Sequence, residues 1–221
     1  MDIKSNILSI KSKLPKHVKL VAVSKTKPNE DILEAYQAGQ KFFGENKVQD
    51  LEKKYAELPK DIQWHFIGHL QTNKVKYIAP FVSLIHAVDS LKLLNTISKE
   101  AVKNNRTIDY LFQLHIADEE SKFGLSFEEL EEIIISKEFK QLSNVNLIGL
   151  MGMATYTDDI EQIKKEFRGL KTYFDQIKQK YFVDKHDFNE LSMGMSSDFE
   201  QAVEQGSTMV RIGSTIFGER S

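Results

Sequence analysis

Short apolar runs alternate with longer amphipathic stretches along the whole chain, and this alternation limits the possible folds more than any other feature. Each run is rich in Val, Ile, Leu or Phe, as strands buried on both faces of a parallel sheet are. The runs are KLVAVSK (19–25), KFFGEN (41–46), WHFIG (64–68), LIHAVD (84–89), DYLFQLHI (109–116), VNLIGLMGM (145–153), NELSMG (189–194) and TMVRIG (208–213). Because a helical pattern follows most of them, the sequence predicts a parallel sheet with its helices outside.

Three stretches between or before these runs have the periodicity of helices. Residues 29–38 follow such a pattern, with Asn29 as the expected N-cap and Gly39 as the expected C-terminal cap. Residues 160–181 place apolar side chains three and four positions apart, as an amphipathic helix does. A further helix is expected over residues 3–13, before the first strand.

The eight strand-like runs within 221 residues fit a closed (β/α)8 barrel. An open, doubly wound sheet is the alternative, but its first strand would be followed by a G-x-G-x-x-G pattern, which this sequence lacks. Barrels of this length often form one domain, and we see no linker-like or repetitive segment. We therefore expect residues 1–221 to form a single-domain α/β barrel with an extra N-terminal helix.

Composition excludes several classes of function. The 32 acidic and 30 basic side chains give a net charge of −2, whereas a general nucleic-acid binder needs a basic surface. The absence of cysteine excludes disulfides, thiolate nucleophiles and zinc sites built on sulfur. No segment has the pattern of a signal peptide or of a membrane span. We therefore expect a cytoplasmic protein that binds neither nucleic acid nor membrane.

Lys25 is the first candidate for chemistry. Side chains alternate along a strand, so Val21, Val23 and Lys25 share the face that would point into the barrel. Lys25 would then lie at the C-terminal mouth, where the active sites of such barrels are found. Partial desolvation there makes a lysine amine available for a Schiff base. The alternative is a lysine that extends into water from the strand end, and Lys27 is interpreted as a solvated loop residue.

Two turns near the C-terminus combine small residues with hydroxyl groups. They are Gly-Met-Ser-Ser at 194–197 and Gly-Ser-Thr at 213–215. They follow the seventh and eighth runs, where barrels often bind phosphate, and backbone amides with nearby hydroxyls suit that ligand. Because the net charge is −2, phosphate must be bound by such local groups. Ser196 has an alternative role as N-cap of a helix over 197–205, but the occurrence of both turns favours phosphate.

Several other side chains are assigned by position. Arg211 alternates with an inward-facing Met209, and a buried arginine needs a carboxylate or a ligand as its partner. Asn46 ends the second run and faces the mouth, with N-cap of the next helix as its alternative role. His65 and His69 flank a strand-like segment and not an H-E-x-x-H helix. We therefore expect no metal site.

Together, seven segments resemble the pyridoxal-phosphate homeostasis protein family. The similarity extends from about residue 20 to the C-terminus, and the motifs occur in order. They are AVSKTKP (22–28), FGENKVQ (43–49), WHFIGHLQTNK (64–74), ESKFG (120–124), GLMGM (149–153), LSMGMSSDF (191–199) and GSTMVRIGSTIFGER (206–220). The resemblance implies a (β/α)8 barrel similar to the N-terminal domain of alanine racemase, with pyridoxal 5′-phosphate as the cofactor.

The resemblance also implies roles for individual residues. Lys25 matches the lysine that forms the internal aldimine with the cofactor, Asn46 an asparagine near its ring, and Arg211 the arginine beside its pyridine nitrogen. The positions that match the phosphate-binding residues are Ser196, Gly213 and Ser214. Ser214 stands where many members carry Thr, which keeps the hydroxyl, and His115 replaces a common asparagine.

The implied function is that of a pyridoxal-phosphate protein in vitamin B6 homeostasis, which holds the cofactor as a Schiff base on Lys25 without a dedicated reaction. Its protein partners would be apo pyridoxal-phosphate enzymes. A cationic Arg211 beside the pyridine nitrogen opposes protonation of that nitrogen, which weakens the ring as an electron sink. The chain length leaves no room for the second domain that supplies a tyrosine base in racemases. We therefore expect a monomer without enzymatic activity.

Two alternatives stay open at this point. One is a pyridoxal-phosphate enzyme with residual activity, such as an amino-acid racemase that uses Lys25 as its single base. The other is a phosphate-binding barrel that takes no pyridoxal phosphate, in which Lys25 contributes only its charge. The visible absorbance of a Schiff base distinguishes the carrier from the simple phosphate-binding barrel. Exchange of the amino-acid α-hydrogen distinguishes the residual enzyme from the carrier.

Overall fold

In the computed structural model, which describes residues 2–118 and 123–219, eight parallel strands close into a barrel. The strands are β1 (Lys19–Val23), β2 (Phe42–Glu45), β3 (Gln63–Phe66), β4 (Leu84–Val88), β5 (Ile108–Gln113), β6 (Val145–Met151), β7 (Glu190–Ser192) and β8 (Met209–Ile212). Each strand pairs with the next one along the chain, and β8 returns to β1 with Met209 opposite Lys19. The predicted (β/α)8 barrel is therefore confirmed.

One helix precedes β1, and the others follow the strands and surround the barrel. The helices are α1 (Ile3–Lys13), α2 (Asn29–Gln37), α3 (Val48–Glu57), α4 (Val75–Ile78), α5 (Leu91–Lys103), α6 (Phe127–Ile135), α7 (Lys137–Lys140), α8 (Ile160–Tyr181), α9 (Phe199–Glu204) and α10 (Ser214–Phe217). The expected helices over 3–13 and 160–181 match α1 and α8, because both carry an uninterrupted apolar stripe. Within the described residues, no helix is long and apolar enough to cross a membrane.

The barrel divides the buried apolar side chains into two cores. The larger core lies between the strands and the helices and contains Leu20 and Ala22 of β1. The smaller core fills the inside of the barrel, and its buried members are Val21, Leu84, Ala87, Leu111, Met151 and Met209. Because successive strand residues point to opposite faces, the alternation within β1 directs Val21 and then Val23 toward the barrel axis.

The ends of α2 differ from the expectation at its first turn. Pro28 is the N-cap and Asn29 is the first helical residue, so the predicted N-cap was wrong by one position. The Asn29 amide instead donates a hydrogen bond to Glu57 at 2.5 Å, while proline suits the entry to a helix because its φ is already restricted. At the other end Gly39 follows the C-cap Ala38 with φ of 84°, a conformation that favours glycine after a helix.

Every predicted strand-like run extends beyond the carboxyl end of the observed strand. The first run reaches residue 25, whereas β1 ends at Val23 and the chain then turns. In this turn the Lys27 N–H donates to the Ser24 carbonyl oxygen at 3.0 Å, and Thr26 has φ of 67°. The residues at these ends therefore belong to the loops at the mouth of the barrel.

Candidate functional site

A cavity of about 480 Å³ opens at the carboxyl ends of the strands. Its wall includes all six residues that the sequence singled out for cofactor binding, although they lie up to 189 positions apart in the chain. These residues are Lys25, Asn46, Ser196, Arg211, Gly213 and Ser214. The closed barrel brings them together because the carboxyl ends of parallel strands all meet at one mouth.

Lys25 lies two residues beyond β1, half-buried in the cavity wall. The predicted alternation holds, since Val21 belongs to the inner core and Val23 lines the cavity below Lys25. The following residue, Thr26, has φ of 67°, a left-handed conformation that is unusual for a β-branched residue. Such strained backbone persists only where surrounding contacts hold it in place.

Three buried side chains hold the backbone next to Lys25. The Lys54 ammonium of α3 donates to the Ser24 carbonyl oxygen at 2.8 Å and to Glu45 Oε1 at 2.7 Å. The Ser24 hydroxyl donates to the same Glu45 oxygen at 2.6 Å. Burial raises the pKa of Glu45, and the nearby Lys54 opposes that rise. Sequence reasoning missed this cluster because Glu45 and Lys54 resemble ordinary surface residues of a strand end and a helix.

Asn46 follows β2 and is half-buried in the cavity wall. Its alternative role as a helix N-cap does not hold, because Lys47 occupies that position before α3. Gly68 packs against it so closely that an added Cβ would lie 2.5 Å from the Asn46 carbonyl oxygen. The absence of a side chain at Gly68 therefore allows the loop after β3 to pack directly against Asn46.

The two hydroxyl-bearing turns contact each other at the cavity. The Gly213 amide donates to the Ser196 hydroxyl oxygen at 3.2 Å, and a Cβ at Gly213 would lie 3.2 Å from the Val23 carbonyl oxygen. The helix expected over 197–205 is α9 and begins at Phe199, with Asp198 as its N-cap. Ser196 therefore does not cap it, and its alternative role was wrong.

Arg211 is buried at the base of the cavity, with 4% of its surface exposed. Its guanidinium donates to the Ser192 hydroxyl at 2.6 Å and to the Gly152 carbonyl oxygen at 3.2 Å. Burial lowers the pKa of Arg211 to about 10, an effect that attraction to Asp198 opposes. Arg211 therefore stays cationic at neutral pH, and within the described residues it forms no ion pair shorter than 4.0 Å.

Lys27 is a functional candidate that the sequence interpretation missed. It lines the cavity, and its ammonium donates to the carbonyl oxygens of Phe217 and Glu219, each at 3.0 Å. It is therefore not the solvated loop residue that was expected, because the backbone of residues 217–219 accepts its hydrogen bonds. Together with Lys25 and Arg211 it makes the cavity wall cationic in a chain whose net charge is −2.

The histidines that the sequence noted are separated in the structure. His65 contacts His86 inside the barrel at 3.0 Å, whereas His69 pairs with Asp89 at 3.2 Å near the surface. Among the residues that the structure describes, no three His, Asp or Glu side chains are grouped as metal ligands. His115 lines a different cavity, of about 850 Å³, beside α8. Residues 119–122, which include most of the ESKFG motif, and the last two residues lie outside the described part of the chain.

Comparison with known proteins agrees with this architecture. The family model for the alanine racemase N-terminal domain matches residues 1–221. A protein of Aquifex aeolicus named pyridoxal phosphate homeostasis protein is 45% identical over 203 residues, which cover 91% of this chain and 87% of the relative. A human protein of the same name is 41% identical over 213 residues, which cover 91% of this chain and 76% of the relative.

Solved structures show the same fold. PipY of Synechococcus elongatus, solved with pyridoxal phosphate bound, superposes with a TM-score of 0.89 at 35% identity, covering 98% of this chain and 100% of that one. Alanine racemase from Bartonella henselae shares the fold at 15% identity and a TM-score of 0.73, covering 99% of this chain and 58% of that one. The chain therefore belongs to the pyridoxal phosphate homeostasis protein family, whose fold is that of the alanine racemase N-terminal domain.

Proposed function

We propose that this protein binds pyridoxal 5′-phosphate in the cavity at the barrel mouth and serves vitamin B6 homeostasis without a dedicated catalytic reaction. The observation that carries the proposal is the convergence of a lysine, a buried arginine and two hydroxyl-bearing turns on one cavity of about 480 Å³. That volume is typical of small-molecule sites. The solved PipY structure with pyridoxal phosphate bound supports the same ligand.

The cavity wall fits an anionic aldehyde of this kind. Ser196 and Ser214 offer hydroxyl donors, and the Gly213 turn approaches closely because it has no side chain. Lys27 adds positive charge to the same wall. We assign the phosphate to the two turns, since charge-assisted hydrogen bonds to a phosphate are stronger than those to a neutral group.

Lys25 supplies the amine for covalent attachment. Pyridoxal phosphate brings an aldehyde carbon that acts as an electrophile, and condensation with the Lys25 amine forms a carbon–nitrogen double bond with release of water. The turn beside Ser24 and Glu45 determines where the amine projects. Asn46 lines the same cavity wall, and we assign it a place beside the cofactor ring.

Arg211 supports a role as a binding protein more than as an enzyme. A guanidinium that donates a hydrogen bond to the pyridine nitrogen keeps that nitrogen unprotonated, and the ring then accepts electrons poorly. Apo pyridoxal-phosphate enzymes are the recipients that we propose. The monomeric state, the cytoplasmic location and the assignment of residues 1–221 to one domain stay predictions from the sequence.

Two measurements test the proposal. Addition of pyridoxal phosphate to the purified chain is expected to produce the visible absorbance of a Schiff base, which borohydride removes. A chain that stays colourless at saturating ligand would contradict binding by Lys25 and favour the simple phosphate-binding barrel. Incubation of the loaded protein with single L-amino acids in deuterated water distinguishes the residual enzyme, because steady α-deuterium incorporation requires catalysis.

Replacing Ser196 with Ala is expected to weaken binding of pyridoxal phosphate by about 10- to 150-fold, because one hydrogen bond to a charged group contributes about 1.5–3 kcal/mol. Absorbance titration measures the affinity. Pyridoxal, which lacks the phosphate, serves as the matched ligand, and its affinity should be unchanged. Ser12→Ala, at an exposed position of α1, is the control variant. An equal loss for both ligands in Ser196→Ala would show that Ser196 does not contact the phosphate.

A further inference from the structure

A chain of hydrogen bonds crosses the inside of the barrel and ends at Arg211. The Arg211 guanidinium donates to the Ser192 hydroxyl at 2.6 Å. Ser192 Oγ lies 3.0 Å from His86 Nδ1, and His86 Nε2 lies 3.0 Å from His65 Nδ1. These residues belong to β8, β7, β4 and β3. The chain therefore connects strands on different sides of the barrel.

All members of this chain are buried. Exposed surface is 0% for His86 and Ser192, 3% for His65 and 4% for Arg211. Burial lowers the pKa of His65 to about 3, and the charge of Lys19 adds to the effect. Burial also lowers the pKa of His86 well below its usual range, with smaller contributions from His65 and Arg211. Both imidazoles are therefore neutral at neutral pH, and each carries a single ring proton.

The cation at one end determines the direction of the hydrogen bonds. Because an arginine only donates, the Ser192 oxygen accepts from it, and His86 Nδ1 is the acceptor that the described residues offer to the Ser192 hydroxyl hydrogen. His86 then carries its proton on Nε2 and donates to His65 Nδ1. The proton of His65 is consequently on Nε2. In this arrangement Arg211 donates to Ser192, Ser192 to His86 and His86 to His65, so the hydrogen bonds all run in one direction.

These hydrogen bonds restrict the orientation of the Arg211 guanidinium. Ser192 accepts from Nη1 and the Gly152 carbonyl oxygen accepts from Nη2, so two nitrogens of the planar guanidinium are each held by a hydrogen bond. The same side chain lines the cavity. Its orientation toward a ligand therefore depends on where Ser192 is held, and Ser192 in turn depends on the two histidines.

We propose that Ser192, His86 and His65 are positioning residues that orient Arg211 toward the pyridine nitrogen of the bound cofactor. This inference rests on the proposed function only for the identity of the ligand. The three residues lie beyond the cavity wall, and they act through Arg211 instead of touching the cofactor. They also explain why polar side chains occupy the inside of the barrel, where Leu84 and Leu111 would otherwise predict an apolar filling.

The test compares two ligands that differ at the ring nitrogen. One is pyridoxal phosphate, and the other is its carbocyclic analogue, in which a C–H group replaces the pyridine nitrogen. Ser192→Ala is expected to weaken binding of pyridoxal phosphate by about tenfold and to change binding of the analogue by less than about twofold. Leu111→Ala, a buried control inside the barrel, should affect both ligands equally.

A matched pair of variants at His86 separates hydrogen bonding from packing. His86→Asn retains an acceptor for the Ser192 hydroxyl, whereas His86→Leu has a similar volume and no acceptor. We expect the first to keep most of the selectivity for the pyridine nitrogen and the second to lose it. An equal loss of affinity for both ligands in Ser192→Ala, or equal behaviour of the two His86 variants, would overturn the proposal.

Nitrogen NMR of labelled histidine tests the chain of hydrogen bonds without any cofactor. Both His65 and His86 are expected to be neutral, with the proton on Nε2 and a bare Nδ1. A His86 proton on Nδ1 would overturn the direction of the chain and with it the proposal. Because this result does not depend on ligand binding, failure of the positioning role and failure of the proposed function can be told apart.

Discussion

Replacing Lys25 with Ala is expected to abolish covalent attachment of pyridoxal phosphate. Reduction with borohydride should leave about one stable adduct on each wild-type chain and none on the variant. Lys25 offers the amine to the aldehyde, whereas the other lysine of the cavity wall, Lys27, donates its ammonium hydrogens to the carbonyl oxygens of Phe217 and Glu219. Mass spectrometry of the intact protein measures the adduct. Non-covalent binding should persist at lower affinity, since the phosphate site and Arg211 are unchanged.

Lys47→Ala is the matched control for this experiment. Lys47 lies directly after Asn46, but it is exposed and does not line the cavity. Its replacement should leave the adduct intact. Equal labelling of Lys25→Ala and wild type, located by peptide mapping to another lysine, would show that Lys25 is not the attachment site.

Replacing Lys54 with Met is expected to destabilise the protein by about 3–5 kcal/mol, the usual cost of removing one member of a buried ion pair. The reason is that Glu45 is fully buried, and within the described residues its Oε2 already lacks a hydrogen-bond partner. Loss of Lys54 would leave this carboxylate with the Ser24 hydroxyl alone. Urea denaturation followed by circular dichroism measures the free energy of unfolding.

Two further variants make this prediction sharp. Lys53→Met changes the neighbouring exposed residue of α3 and should cost less than about 0.5 kcal/mol. Glu45→Gln combined with Lys54→Met removes both charges and should recover part of the loss, because the uncompensated charge is then absent. A cost below about 1 kcal/mol for Lys54→Met alone would contradict a buried ion pair at this position.

The same contact links stability to the site. Lys54 holds the Ser24 carbonyl oxygen, and two residues later Thr26 adopts its left-handed conformation. A non-glycine residue in that conformation costs roughly 1–2 kcal/mol, so the buried ion pair maintains the turn against its own strain. We therefore expect Lys54→Met to weaken binding of pyridoxal phosphate as well, although Lys54 lies outside the cavity wall.

Much of the fold could be predicted from local pattern. The eight apolar runs predicted all eight strands, since side chains that are buried on both faces leave a short continuous apolar signal. The helix over 160–181 was predicted to the residue because its apolar stripe is long and regular. Strand ends were predicted less well, because residues such as Ser24 and Lys25 continue the pattern of the strand but belong to the loop at the mouth.

The candidate site, like the fold, could be predicted from the sequence only in part. Alternation along β1 predicted that Lys25 would follow Val23 into the mouth, and both line the cavity. Local reasoning did not predict that Lys27 would be covered by the carbonyl oxygens of Phe217 and Glu219, because those residues lie about 190 positions away in the chain. Nor did it predict that His65 would face His86 instead of His69.

The sequence by itself determined the alternation of strands and helices, the inward face of β1 and β8 and, through resemblance, the cofactor to be tested. Only the tertiary structure decided which polar side chains meet. The ion pair of Glu45 with Lys54 and the chain from Arg211 to His65 join residues on separate elements. Periodicity reports the burial of each residue one at a time, whereas these contacts depend on strand order and register, which closure of the barrel sets.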